Sequence, residues 1–105
     1  MAQLDVYRNP NPKSRREVPW LVDLQHPLLS ALSTRMVAPL IRPASLGRAP
    51  LSRLNPRFTV EGEAVVMLTQ SIGSVQSANL MKPIANLGSG RAAILSALDM
   101  LWSGV

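Results

Sequence analysis

The chain has 105 residues, 47% of them apolar, which suits one domain with a modest core and excludes a largely disordered segment. It has no cysteine, one histidine and six carboxylates, so disulfides, thiol chemistry and thiolate metal sites are ruled out and a metal cluster is disfavoured. A net charge of +5 permits contact with nucleic acid or an acidic protein, while 4% aromatic residues argue against a stacking platform for single strands.

Nine prolines cut the sequence into short pieces, which disfavours a helix bundle. Met1 to Val6 contains an aspartate and no apolar run, and no window is long and apolar enough to span a membrane. The expectation is a soluble protein that stays in the cytoplasm, with which the lack of cysteine agrees.

Gln3 to Arg8 alternates loosely and reads as a first strand. Asn9 to Glu17 has two Asn-Pro steps followed by Lys13, Arg15 and Arg16, and reads as a mobile polar loop. Val18 to Gln25 is a second strand, with Trp20, Val22 and Leu24 on one side and Leu21, Asp23 and Gln25 on the other. The two strands form a hairpin that stops at His26-Pro27. Leu28 to Leu32 is an apolar loop, whose leucines are either core plugs or an exposed contact patch.

Thr34 to Arg42 reads as a third strand, and Pro39 inside it predicts an edge position or a bulge. Ala44 to Asn55 is an irregular connection with one helical turn. Arg57 to Glu61 and Glu63 to Gln70 form a second hairpin about Gly62, with Val65 to Leu68 as a buried run. Ser71 to Ser74 reads as a turn, and Val75 to Ala85 holds a last short strand broken at Pro83.

Leu87 to Val105 is the one long segment with helical period. Ser89 is the expected N-cap and Gly104 the stop. Ile94, Leu95, Leu98, Leu101, Trp102 and Val105 form one broad apolar face. Within it the stripe Leu95, Leu98, Trp102 is expected to face the sheet, with Ser103 toward solvent. Strands first and a helix last predict a mainly β domain over residues 1–105, an antiparallel, partly closed sheet with the helix packed on it. The apolar content and open edges of so small a chain predict a homodimer.

Few residues suggest catalysis. His26 stands alone and reads as a surface or capping residue. Gly88-Ser89-Gly90 precedes a helix, yet lacks the lysine and spacing of a phosphate loop. Asp23, amid apolar residues, needs a buried partner such as an arginine. Asp plus Arg is also a minimal pair for RNA cleavage, so both readings of Asp23 stay open.

Trp20–Gln25 (WLVDLQ), Thr34–Leu40 (TRMVAPL), Val65–Gln70 (VVMLTQ) with Ser74-Val75, and the ending ALDMLWSGV together resemble the CcdB family, the toxins of ccd toxin–antitoxin pairs. The segments run in order along nearly the whole chain, though no single motif is diagnostic. The resemblance implies a small SH3-like antiparallel barrel with a short second sheet, a long C-terminal helix and a tight homodimer. It implies a protein that is not an enzyme and needs no cofactor or metal: it binds the DNA gyrase A subunit and traps the cleaved-DNA complex. A CcdA-like antitoxin neutralises it through a flexible tail, and the two together, not the toxin alone, bind operator DNA and repress their operon.

Carried over by position, the gyrase contact falls on Asp99, Ser103, Gly104 and Val105 with Trp102 beside them, and on His26, Leu28 and Leu29. Gln3, Leu4 and Tyr7 match further positions near that tail. The familiar members end in Trp-Gly-Ile, whereas this chain ends in Trp-Ser-Gly-Val, which moves the tryptophan one residue earlier. The antitoxin contact is assigned to Arg8, Lys13, Arg15 and Arg16. The alternative is a messenger-RNA-cleaving toxin of the MazF/Kid type on the same barrel, using Asp23, Arg35 and the basic loop. A third reading is a DNA-binding co-repressor, which the charge allows but no helix-turn-helix or basic stripe supports.

Overall fold

The computed structural model describes residues 2–105. Its strands are β1 (Asp5–Arg8), β2 (Trp20–Asp23), β3 (Thr34–Ile41), β4 (Arg57–Val60), β5 (Glu63–Met67), β6 (Gly73–Gln76) and β7 (Ala85–Asn86). They precede helix α1 (Arg91–Ser103), the one α-helix among the described residues. All pairings are antiparallel, in the order β4-β5-β3-β2-β1-β7, with β6 attached to β3. The sheet is nearly closed and barrel-like, and α1 packs on it, as the order of elements predicts. The implied short second sheet is here a branch of one connected sheet, because β3 pairs β6 over Thr34–Val37 and β5 over Leu40–Ile41.

Strand parity sorts the side chains into two cores, since successive residues point to opposite faces. Val6, Trp20, Val22, Leu24, Ala38 and Leu40 join Ile94 and Ala97 under the helix. Tyr7, Leu21 and Val37 point the other way, into a smaller cluster closed by Leu80. The predicted division of β2, Trp20, Val22 and Leu24 against Leu21 and Asp23, therefore holds.

Pro39 corrects one expectation. It lies in β3, at the centre of the sheet, not at an edge. A strand residue points its N and its carbonyl toward the same neighbour. The Pro39 carbonyl accepts Leu68 N at 2.9 Å, on the side where β3 changes partner from β6 to β5. The missing N–H falls in that handover, where no ladder bond requires it.

The β4–β5 hairpin is as expected, and its turn is built from Glu61 at φ 50° and Gly62 at φ 78°. Positive φ at both central residues is the geometry whose twist matches paired strands. Two other boundaries differ. The segment read as a turn at Ser71–Ser74 contains the start of β6, and the later strand is only the two-residue β7. Most of β6 is exposed, so it carries no apolar alternation by which a strand is recognised.

The helix start also differs. Ser89 does not cap α1; the chain enters it through a 3₁₀ turn at Gly88–Gly90, and Gly90 occupies the cap position without a side-chain bond. Asn86 Oδ1 instead accepts Gly88 N at 2.7 Å. Gly90 is needed for close approach, because a Cβ there would overlap the Phe58 ring. Phe58 packs against the main core, so the overlap cannot be relieved without repacking. Gly90→Ala should cost about 1–3 kcal/mol in urea unfolding, the usual scale of overpacking. A variant as stable as wild type would mean that the Phe58 ring turns aside freely.

Candidate partner-binding surfaces

Asp23 and Arg35 stand across β2 and β3 and are both fully buried. Asp23 Oδ2 accepts from Arg35 Nη2 at 2.6 Å and from Arg35 Nε at 3.0 Å. Of the two readings of Asp23, the structure selects the buried ion pair. The two charges are paired with each other through Arg35 Nε and Nη2, away from any surface a phosphodiester could reach, while the buried Arg35 Nη1 has no partner among the described residues. Its reach extends further: Asp23 Oδ1 accepts Gln25 N at 2.9 Å, and the buried Gln25 side chain accepts Met36 N at 3.0 Å and donates to Leu29 O at 3.0 Å. The turn Pro27–Leu29 is therefore tied to the ion pair through one residue. His26 caps it, Nδ1 accepting Leu28 N at 3.1 Å. Held in this way, Leu28 is 86% exposed and Leu29 about half exposed, so they are not core plugs.

The end of α1 corrects the expectation for Trp102. It does not pack inward; it is 90% exposed. The reason is angular, at about 100° of rotation per helical residue. Ile94 and Ala97 are buried and Leu98 is packed against the core, which centres the inward stripe near Ile94. Measured from Ile94, Leu101 falls about 20° to one side, whereas Leu95 and Trp102 fall about 100° and 80° to the other. A stripe drawn through Leu95, Leu98 and Trp102 is thus centred too far round. Ser103 is exposed as expected, but its hydroxyl turns back to donate to Asp99 O at 2.8 Å. Gly104, at φ 77°, stops the helix with its N–H on Met100 O at 3.1 Å. Asp99 and Val105 are exposed.

No hydrogen bond joins this tail to the Pro27–Leu29 turn. A small cleft lined by Gln3, Leu24, Arg91, Leu95 and Leu98 sets the middle of α1, at Leu95 and Leu98, beside the end of β2. His26 follows two residues after Leu24. Gln3 fastens this border, donating to Leu24 O at 3.1 Å and accepting from Arg91 at 3.0 Å. Of the other matched positions, Leu4 lies in the main core and Tyr7 in the smaller one, so neither presents a side chain to a partner.

The basic loop is more ordered than its sequence predicts. Asn9 is buried, and its side-chain NH₂ donates to Ser14 Oγ and Val18 O, both at 2.9 Å, while Oδ1 accepts Asn11 N at 3.0 Å. Arg15 Nε donates to Asn9 O at 2.8 Å. Arg8, Arg15 and Arg16 line one open cleft over Pro19 and Trp20. Lys13 does not line it and is exposed outside. The sequence reading missed Arg42, which completes the cleft, because it lies beyond β3 and only strand pairing brings it there. Gln25, the link between the ion pair and the turn, was also missed; its place in an apolar strand end was the available signal.

Among the described residues no group of three or more His, Asp or Glu is placed to hold a metal ion. No helix is long and apolar enough to cross a membrane.

Removing Arg35 strands a buried carboxylate, so Arg35→Met should cost about 3–5 kcal/mol. The double variant Asp23→Leu with Arg35→Met should recover most of that loss in urea melts. A double variant no better than the single one would mean that the uncompensated charge is not the cause. Tyr7, beside this pair, has its phenol pushed above the ordinary tyrosine value by burial first, then by Asp5 and Asp23, with Arg35 opposing. A raised folded value means the contribution is complete below the unfolded value and is lost as pH rises through the folded one. Stability should therefore fall less steeply above about pH 10 in Tyr7→Phe than in wild type. Parallel alkaline melts of the two proteins would remove Tyr7 from that transition.

Compared with known proteins, residues 3–104 match the family model described as CcdB protein. No curated protein matches the chain by sequence. With nearly every residue covered, and with the barrel-like sheet and C-terminal helix that the resemblance implies, the chain belongs to the CcdB family, toxins of the ccd toxin–antitoxin systems.

Proposed function

We propose that this toxin acts by binding and not by catalysis: it engages the DNA gyrase A subunit through the end of α1 and the Pro27–Leu29 turn, and traps the cleaved-DNA complex. The observation that carries this reading is Trp102, the bulkiest type of side chain, exposed to 90% at the end of a well-formed helix. Large exposed aromatic residues are enriched where partners dock, since they bring much apolar area at low entropic cost. Leu95 and Leu101 extend the apolar surface along the helix, and Leu28 and Leu29 add to it from the tethered turn. The moved tryptophan of this chain is thereby a contact residue and not an anchor of the helix end.

The apolar content and open sheet edges of so small a chain support a homodimer, because a second copy would remove apolar area from water. Neutralisation falls to a CcdA-like antitoxin drawn by the cationic loop, and the pair together represses the operon. The cytoplasm, where gyrase works, is the place of action. The buried Asp23–Arg35 pair favours this reading over a messenger-RNA-cleaving one.

Trp102→Ala decides between an anchoring and a contacting ring. Its melt should stay within about 0.5 kcal/mol of wild type, as for exposed positions. Gyrase supercoiling and cleavage assays should show loss of poisoning, and light scattering of the wild type should show a dimer at micromolar concentration. A Trp102→Ala protein that still poisons gyrase would sink the assignment of the ring. Wild-type protein that leaves gyrase untouched and cleaves RNA would sink the function.

A further inference from the structure

Residues 26–33, between β2 and β3, are exposed throughout. No side chain of the Pro27–Leu29 turn is buried, so apolar packing does little to hold it. A single 3₁₀ turn also has poor hydrogen-bond geometry and is weak by itself. Its own bonds are local: Leu29 N donates to His26 O at 2.9 Å, Ser30 N to Pro27 O at 3.0 Å and Leu32 N to Leu29 O at 3.0 Å. These bonds shape the turn but leave its orientation on the sheet open. Among the described residues, one buried side chain bonds to this segment: Gln25, whose Nε2 donates to Leu29 O at 3.0 Å.

Gln25 can hold the turn because it is itself held. Asp23 Oδ1 accepts its N–H at 2.9 Å, and its Oε1 accepts Met36 N at 3.0 Å. These bonds set the amide between β2 and β3 and fix which way round it lies, since Met36 N needs an oxygen and Leu29 O needs an N–H. Gln25 is 7% exposed, so water competes little for either bond.

We propose that Gln25 is the positioning residue of the gyrase contact: its amide holds Leu28 and Leu29 in the arrangement that docks, without touching the partner itself. The proposal rests on the part given to the turn in the function proposed above. The gain is entropic. A turn already ordered in the free protein has no ordering cost left at the interface, and such costs separate tight from weak docking at equal area. A variant without the bond keeps both leucines and their apolar area, yet binds more weakly.

The test separates the two ends of the amide. Gln25→Met removes both side-chain bonds and adds no charge. Gln25→Glu keeps an oxygen for Met36 N and sets a second oxygen, without a proton, against Leu29 O. Asn55→Ala controls for lost stability: Asn55 is also buried, and it bonds to Met67 O at 3.1 Å and Gln70 Oε1 at 2.9 Å, not to the turn. Each full-length protein is titrated with the gyrase A subunit, and amide order parameters are measured on the free toxin by NMR. Both Gln25 variants should bind about tenfold more weakly or worse, the scale of ordering a short loop at an interface. Their Leu28 and Leu29 amides should fall from the rigid range of about 0.85 to below about 0.6. Asn55→Ala, even with a comparable drop in melting temperature, should bind within about twofold of wild type and keep the turn rigid.

Gln25 variants that bind like wild type, or whose turn stays rigid, would overturn the proposal. So would an Asn55→Ala loss as large as theirs, because general destabilisation would then explain both. Should Gln25→Glu fail to fold beside Asp23, Gln25→Met carries both readouts. Failure of the underlying reading looks different: wild-type toxin leaves the gyrase A subunit unbound, or Leu28→Ser with Leu29→Ser binds it unchanged. The function of the turn then falls first, and the positioning role with it.

Discussion

Two opposite charges are enclosed in the interior of this small protein, and the exposed surface is shaped from there. Taking Asp23 and Arg35 out of water is costly, and the cost is offset only by close, well-aligned bonds between them. Such a pair tolerates little displacement, because a shift that breaks it leaves a bare charge in a medium of low dielectric. The pair therefore fixes how β2 lies against β3. Through Gln25 it also fixes the turn that follows β2. Leu28 and Leu29 are exposed on a turn whose backbone is tied to the interior, and a partner meeting them need not order it first.

A second constraint comes from the limited core. The helix has one buried stripe, through Ile94, Ala97 and Leu98, because the curved sheet offers it only that width. Further apolar side chains of α1 stand on its flank, uncovered by the single chain. The middle of α1, at Leu95 and Leu98, lies beside the end of β2, fastened there by Gln3 between Leu24 and Arg91. The same strand is the one from which the turn is tethered.

At the cleft the chemistry is the reverse. Arginines gather over a buried tryptophan and a proline, and the loop that carries two of them is held by Asn9. One domain thus offers an apolar surface and a cationic one, each supported by hydrogen bonds to the interior.

Local sequence determined the elements whose signals are local. Alternation in β2 placed Trp20, Val22 and Leu24 on the face they occupy, because strand side chains repeat every two residues whatever they pair with. Glu61-Gly62 marked its hairpin, and Gly104 marked the helix end, because both need positive φ. The need of Asp23 for a buried cation was legible as well, since an isolated charge in a strand core is unaffordable. Where the outcome depended on partners distant in sequence, only the tertiary structure decided it. Pro39 is central because the handover from β6 to β5 removes the need for its N–H. Gly90 is set by Phe58 rather than by capping, and Arg42 joins the basic loop only once the strands have paired. The exposure of Trp102 belongs here too: helical periodicity gave the angles between side chains, but the direction from which the sheet meets the helix is not written in any local repeat.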